Sequence, residues 1–326
     1  MRRVLRPILL PFLRRNPGEV DEQARKFSVE TDEGRELVSG VGRAFLGGYH
    51  AMLQAGTLGA VSAAGLAVES QYRPFFFEGA AMGYVPRAYF TNGVGRGRVE
   101  ADLLEMDSRF RYLYYVGLGF WFGFRYPGRP AKLEDLAPYI DPFYFPLCYD
   151  GFGFKVGFFD FPGRPDSRKL IDKAPADRRA QAYQGFGRAL FFVCMDDEDR
   201  FQRTKAEAPA EHRDDVESGR SLAVAFTGIR RPERILLHLA GAADRDELGL
   251  RLLGVTWALT AREMNDPDYF DRCLATLAPG KQALLRLLPQ RCREALEASS
   301  SYQEWRTKTK DAVVTAYRAS EEEVRR

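Results

Sequence analysis

The chain has 326 residues, 45% of them hydrophobic, enough to bury one large core or two modest ones, which sets it apart from disordered sequences. Its 48 Lys and Arg nearly balance 45 Asp and Glu, so a net charge of +3 supplies no general field for gripping nucleic acid. With 24 Phe and 15 Tyr, many aromatic rings must be buried or line a cavity.

Residues 1–30 read as an N-terminal arm. Arg2, Arg3, Arg6, Arg14 and Arg15 flank the short apolar stretch Ile8–Leu13. Pro11 interrupts that stretch and no small-residue cleavage site follows, so it makes a poor signal peptide. The arm is expected to pack on the body, with a weak membrane-surface contact as the alternative. Unbroken apolar runs reach roughly half the ~20 residues of a spanning helix, and no transmembrane segment is expected.

Residues 31–298 carry a hidden period. Tyr115-Val116-Gly117-Leu118-Gly119, Tyr149-Asp150-Gly151-Phe152-Gly153 and Tyr183-Gln184-Gly185-Phe186-Gly187 share an aromatic-x-Gly-x-Gly core, and Val216–Ser221 keeps its remnant around Gly219. The first glycines stand at 117, 151, 185 and 219, three equal steps of 34. Gly79 and Gly254 extend the series at 38 before and 35 beyond. After each glycine comes an apolar stretch, then a turn signal such as Tyr126–Pro130, Phe161–Pro165, Arg230–Pro232 or Asn265–Pro267, then a second amphipathic segment. Two helices of about 12 residues with short loops fill such a period. The expected fold is therefore all-α: degenerate helical hairpins of about 34 residues forming a solenoid or an α/α ring, with residues 299–326 as a C-terminal helical tail. A glycine inside a helix costs about 1 kcal/mol relative to alanine, so its recurrence implies close approach of neighbouring helix backbones. The tetratricopeptide unit has the same length, but its Trp/Leu-Gly/Tyr/Ala pattern is absent.

The four cysteines, Cys148, Cys194, Cys273 and Cys292, form no CxxC pair and have no histidine at ligand spacing. Reduced, buried thiols in a cytoplasmic protein are expected, and neither zinc nor another cofactor is implied. The run Asp196-Asp197-Glu198-Asp199 resembles the acidic patch with which class I terpene cyclases hold magnesium, with Asp196 and Asp197 as candidate ligands. Its fifth position is Arg200, and acidic residues at equivalent places in other units read as helix caps, the favoured reading here too. The glycine runs lack the spacing of dinucleotide and Walker loops, His50, His212 and His238 share no motif, and no serine sits in a hydrolase elbow.

Polar residues before the repeat glycines, Glu78, Asp150 and Gln184, with Glu217 one place further back, are expected to share one surface. In an enclosed cavity Glu78 and Asp150 become acids among aromatics, suited to protonating an apolar substrate, with Tyr115, Tyr149, Tyr183, Gln184 and Trp257 contacting it. The alternative is that these groups bridge repeats by pairing with Arg188 or Arg220.

Five segments (Gly42–Tyr49, Phe77–Met82, Tyr149–Phe154, Gly185–Phe192 and Trp257–Arg262) together resemble the bacterial domain-of-unknown-function 1702 family, which includes proteins of enediyne gene clusters. The resemblance spans nearly the whole length. It implies a role in specialised metabolism, handling a long polyene or a polyketide intermediate, but carries over no catalytic residue because the family has no settled activity. The Asp196–Asp199 run is heavier than the family usually shows, which leaves open a different substrate. The expected function is binding of a hydrophobic polyene, polyketide or terpenoid intermediate in an aromatic-lined cavity, cyclisation being the most concrete chemistry, with biosynthetic proteins as partners. The rival expectation is a helical scaffold that binds a partner protein along a concave face.

Overall fold

A computed structural model describes residues 16, 18–91, 98–195 and 197–325. Every α-helix, 3₁₀ and π segment in it belongs to an all-α fold, with no strand among the described residues. The α-helices are α1 (Gly18–Ala24), α2 (Asp32–Gln54), α3 (Leu58–Leu66), α4 (Arg73–Thr91), α5 (Val99–Asp107), α6 (Arg111–Arg125), α7 (Pro146–Lys155) and α8 (Arg179–Val193). They continue as α9 (Glu198–Glu207), α10 (Arg213–Gly228), α11 (Pro232–Ala240), α12 (Arg245–Asn265), α13 (Pro267–Leu274), α14 (Pro279–Glu297) and α15 (Tyr302–Arg325). Polar side chains start several of them: Thr31 accepts from Gly34 N, Asp244 from Asp246 N and Glu247 N, and Asp266 from Tyr269 N.

The glycine-bearing helices pack in chain order as one row, α2–α4–α6–α7–α8–α10–α12. Their backbones touch reciprocally. A β-carbon on Gly153 would lie 1.8 Å from the Ala182 carbonyl oxygen, and one on Gly185 would lie 1.8 Å from that of Asp150. Gly119 and Gly151 stand in the same relation to Cys148 and Val116, at 1.9 and 2.0 Å. Gly219 meets Gln184 at 1.9 Å and Gly254 meets Ser218 at 2.1 Å, so the relation runs on along the row. Close approach is thus the physical content of the period.

The second segment departs from expectation in two of the periods. Residues Pro130–Tyr139 and Pro165–Lys173 are 3₁₀ rather than α, whereas α9, α11 and α13 are α-helical. Burial of Pro130, Leu133 and Leu136 shows why in the first case: apolar contacts every third residue match a three-residue turn, and Pro138 further disfavours an α-helix.

The row curls back on its own beginning. Arg262, buried at the end of α12, donates from Nη1 to the Gln71 carbonyl at 3.0 Å, and Asn265 Nδ2 donates to the Arg109 carbonyl at 2.6 Å. Arg73 pairs with Asp266 at 2.9 Å. The α14–α15 hairpin lies on α12, and Arg306 of α15 pairs with Asp215 of α10 in a buried bridge. All four cysteines are free and buried. No described helix is long and apolar enough to cross a membrane. Residues 1–15, which carry the basic and apolar arm, lie outside the described residues.

The packing predicts a sharp contrast between two glycines. Gly185→Ala should destabilise the protein by more than about 3 kcal/mol or prevent folding, because two main chains must separate. Gly163→Ala, with open space at its β-carbon, should leave the melting temperature within a degree or two. Thermal unfolding followed by circular dichroism checks both, and a stable Gly185→Ala protein would remove the basis of the row.

Candidate functional site

A cavity of about 60 Å³ sits where α6, α7, α8, α10, α12 and α15 converge. Its wall is mostly apolar and aromatic, and Asp150, Gln184 and Arg188 bring polar groups to it. Tyr302, Trp305 and Trp257 form an aromatic triangle on one side, with ring centroids 5.6–5.7 Å apart. Tyr112 extends it, 6.0 Å from Trp305.

The polar side is one buried cluster. Arg188 Nη1 bonds Asp150 Oδ1, and Gln184 Nε2 donates to Asp150 Oδ2 at 3.2 Å. Arg188 Nη2 also lies 3.8 Å from Glu78 Oε1, reaching from α8 across to α4. Its guanidinium stands 5.1 Å over the Phe154 ring. All four polar side chains are less than one-tenth exposed. Burial pushes the Glu78 carboxyl up to about 7, opposed by Arg188 and reinforced by the charge on Asp150. Burial also raises Asp150 above its ordinary value, against the pull of Arg188 and Gln184.

The expected shared surface therefore exists for Glu78, Asp150 and Gln184, and it takes the bridging form: Arg188 pairs with both acids. Asp150, Gln184 and Trp257 line the cavity, whereas Glu78 stands behind Arg188 and does not. Glu217 is corrected. It pairs with Lys205 at 2.7 Å and Arg251 at 3.4 Å, away from the cluster.

Tyr115, Tyr149 and Tyr183 are corrected as well. None lines the cavity. Tyr115 donates to Glu100 at 2.6 Å, Tyr149 to Glu134 at 2.8 Å, and Tyr183 to Asp172, so each hydroxyl ties a row helix to an outer segment. Burial first, and then these carboxylate bonds, raise all three phenols. The tyrosines are braces.

The second residue of the acidic run starts a helix. Asp197 accepts from Arg200 N at 2.8 Å and caps α9, and Glu198 is taken by Arg220, which lowers its carboxyl to about 2. Asp197 therefore serves as the cap of α9. Asp196 lies outside the described residues. Among the described residues no group of three or more His, Cys, Asp and Glu is placed to hold a metal.

Two wall residues escaped sequence reasoning, Tyr302 and Trp305, because the tail was set apart from the repeats. Their three-residue spacing at the start of an amphipathic helix is the signal that would have found them.

The chain belongs to the family described as protein of unknown function (DUF1702), whose model matches residues 3–313. No curated protein and no solved structure matches it.

The cluster sets a pH dependence. Glu78 is raised from 4.5 to about 7, so its folded form binds a proton more tightly than its unfolded form. The associated stability is complete below about pH 4.5 and is lost as pH rises through about 7, roughly 3 kcal/mol in all. Glu78→Gln should remove most of that loss, measured by urea unfolding at pH 4.5 and pH 8. Equal pH slopes in both proteins would contradict the assignment.

Proposed function

We propose that this chain binds a largely apolar small molecule, of polyene, polyketide or terpenoid type, in the central cavity, and that it acts in specialised metabolism. The observation carrying this reading is a mostly apolar, aromatic wall that meets a buried Asp150–Arg188–Gln184 cluster. Small-molecule sites have this composition: mostly apolar lining with a few fixed polar groups. A buried ionic cluster is costly as a structural device, and perturbed carboxyls gather at functional sites.

Cyclisation is the chemistry this arrangement suits. Asp150 is the carboxyl on the wall. Protonated, it delivers its proton to an alkene carbon, and the resulting cation develops against the faces of Trp257, Trp305 and Tyr112. A second alkene closes the ring with its π electrons, and loss of a proton back to Asp150 ends the sequence with no net oxidation. Glu78 acts through Arg188 as a positioning residue.

The scaffold reading draws on a different feature, a larger and more polar pocket of about 620 Å³ lined by Glu33, Gln71, Arg230, Arg231 and Arg234 among others. Its ion pairs, Arg231 and Arg234 on the single carboxylate of Glu33, are about half exposed, and such pairs contribute little binding energy.

Organic extracts of cells supplied with polyenes or prenyl diphosphates test the proposal by mass spectrometry. Expression of the wild type should change the product profile, and Asp150→Asn should lower conversion by at least about 10²-fold while the protein stays folded. An unchanged profile with the wild type would sink the cyclase reading.

A further inference from the structure

Three polar atoms on the cavity residues make no hydrogen bond to the protein: the amide oxygen of Gln184, the indole nitrogen of Trp257 and the hydroxyl of Tyr302. All three side chains are more than nine-tenths buried. Such groups are normally paired, and leaving one unpaired is expensive. The neighbouring Trp305 shows the contrast, because its indole nitrogen donates to the Cys292 carbonyl at 3.1 Å. The orientation of Gln184 is fixed by chemistry. With Asp150 ionised, its Oδ2 only accepts, so the amide nitrogen faces it and the oxygen is the unpaired side.

The set is one acceptor, Gln184 Oε1, one donor, Trp257 Nε1, and one hydroxyl that can do either, Tyr302. A hydroxyl group is its complement, with one hydrogen to give and two lone pairs to receive. A hydrocarbon satisfies none of the three, and a carboxylate has no hydrogen for Gln184. Charge points the same way. The one guanidinium in the cluster is shared by two carboxylates, so no positive charge is free for an anionic head. An ammonium head can donate to Gln184 and Tyr302 but leaves the Trp257 N–H unpaired. The space of about 60 Å³ suits the oxygenated end of a ligand rather than its whole length.

We propose that the cavity recognises a neutral alcohol on an unsaturated hydrocarbon chain, its hydroxyl donating to Gln184 Oε1 and accepting from Trp257 Nε1 and the Tyr302 hydroxyl. This rests on the small-molecule reading above and adds the head group to it.

Tryptophan fluorescence quenching of the full chain by four probes of one carbon skeleton tests the inference: farnesol, farnesene, farnesoic acid and farnesylamine, at pH 8. Farnesol should bind at least about tenfold more tightly than farnesene, and both charged analogues more weakly than farnesol. Tyr302→Phe, which keeps the ring, should narrow the farnesol preference to about threefold or less and leave farnesene unchanged. Trp257→Phe, followed through Trp305, should narrow it in the same way. Equal binding of farnesol and farnesene, or tighter binding of the acid or amine, overturns the head-group assignment while leaving the cavity reading in place. An unchanged preference in both variants does the same. Failure of all four probes to bind overturns the cavity reading itself.

Discussion

Main chain against main chain at the row glycines is the contact on which the rest of the molecule depends. Where a β-carbon would come within 1.8–2.1 Å of a neighbouring carbonyl oxygen, two helices meet with no side chain between them. The residue before each such glycine is then fixed in direction as well as in height. Glu78, Asp150 and Gln184 occupy that place in α4, α7 and α8, and the curl of the row turns them toward one centre. Arg188, one helical turn beyond Gln184, fills the space between the two acids. Loosening the glycine contacts would therefore disperse the charged cluster as surely as it would unfold the row.

The same geometry explains what was legible in the sequence. Equal glycine spacing identified the row helices and their contact faces, because only backbone approach gives a helical glycine a purpose. It did not distribute the side chains correctly. Tyr149 and Asp150 are consecutive, so on a helix they point about 100° apart, and one cannot face the centre with the other. Tyr115, Tyr149 and Tyr183 point outward to Glu100, Glu134 and Asp172. Position 217 continues that outward series at the same 34-residue step, and Glu217 accordingly meets Lys205 rather than the central arginine. The centre-facing place in that helix belongs to Ser218, which is fully buried.

The acidic run Asp197–Asp199 and the C-terminal segment illustrate two other limits. Adjacent acids look like a metal site when read as a string, but the helix start uses Asp197 on a backbone amide and Glu198 on a neighbouring arginine. The tail carries no periodic glycine, so the period could say nothing about it. Yet Tyr302 and Trp305 supply a wall of the cavity, and Arg306 reaches Asp215. Aromatic residues three apart on an amphipathic helix mark a buried face, and here that face closes the centre of the fold.

The cavity wall is accordingly of two kinds. Between α6, α7, α8, α10 and α12 the limiting contacts are carbonyl oxygens against glycines, which leave no slack for a change of spacing. Where α15 meets Gly249 of α12, a β-carbon would find only Lys310 Cε at 3.2 Å and Val314 Cγ2 at 3.3 Å, the ends of side chains that have other rotamers. The polar ties of α15 to its neighbours include the indole of Trp305 on the Cys292 carbonyl and Arg306 on Asp215. Side-chain contacts can be remade at other spacings, whereas a main-chain contact at van der Waals limit cannot. The row of glycine helices therefore fixes the spacing of Asp150, Gln184 and Arg188, and α15 closes the cavity through side chains.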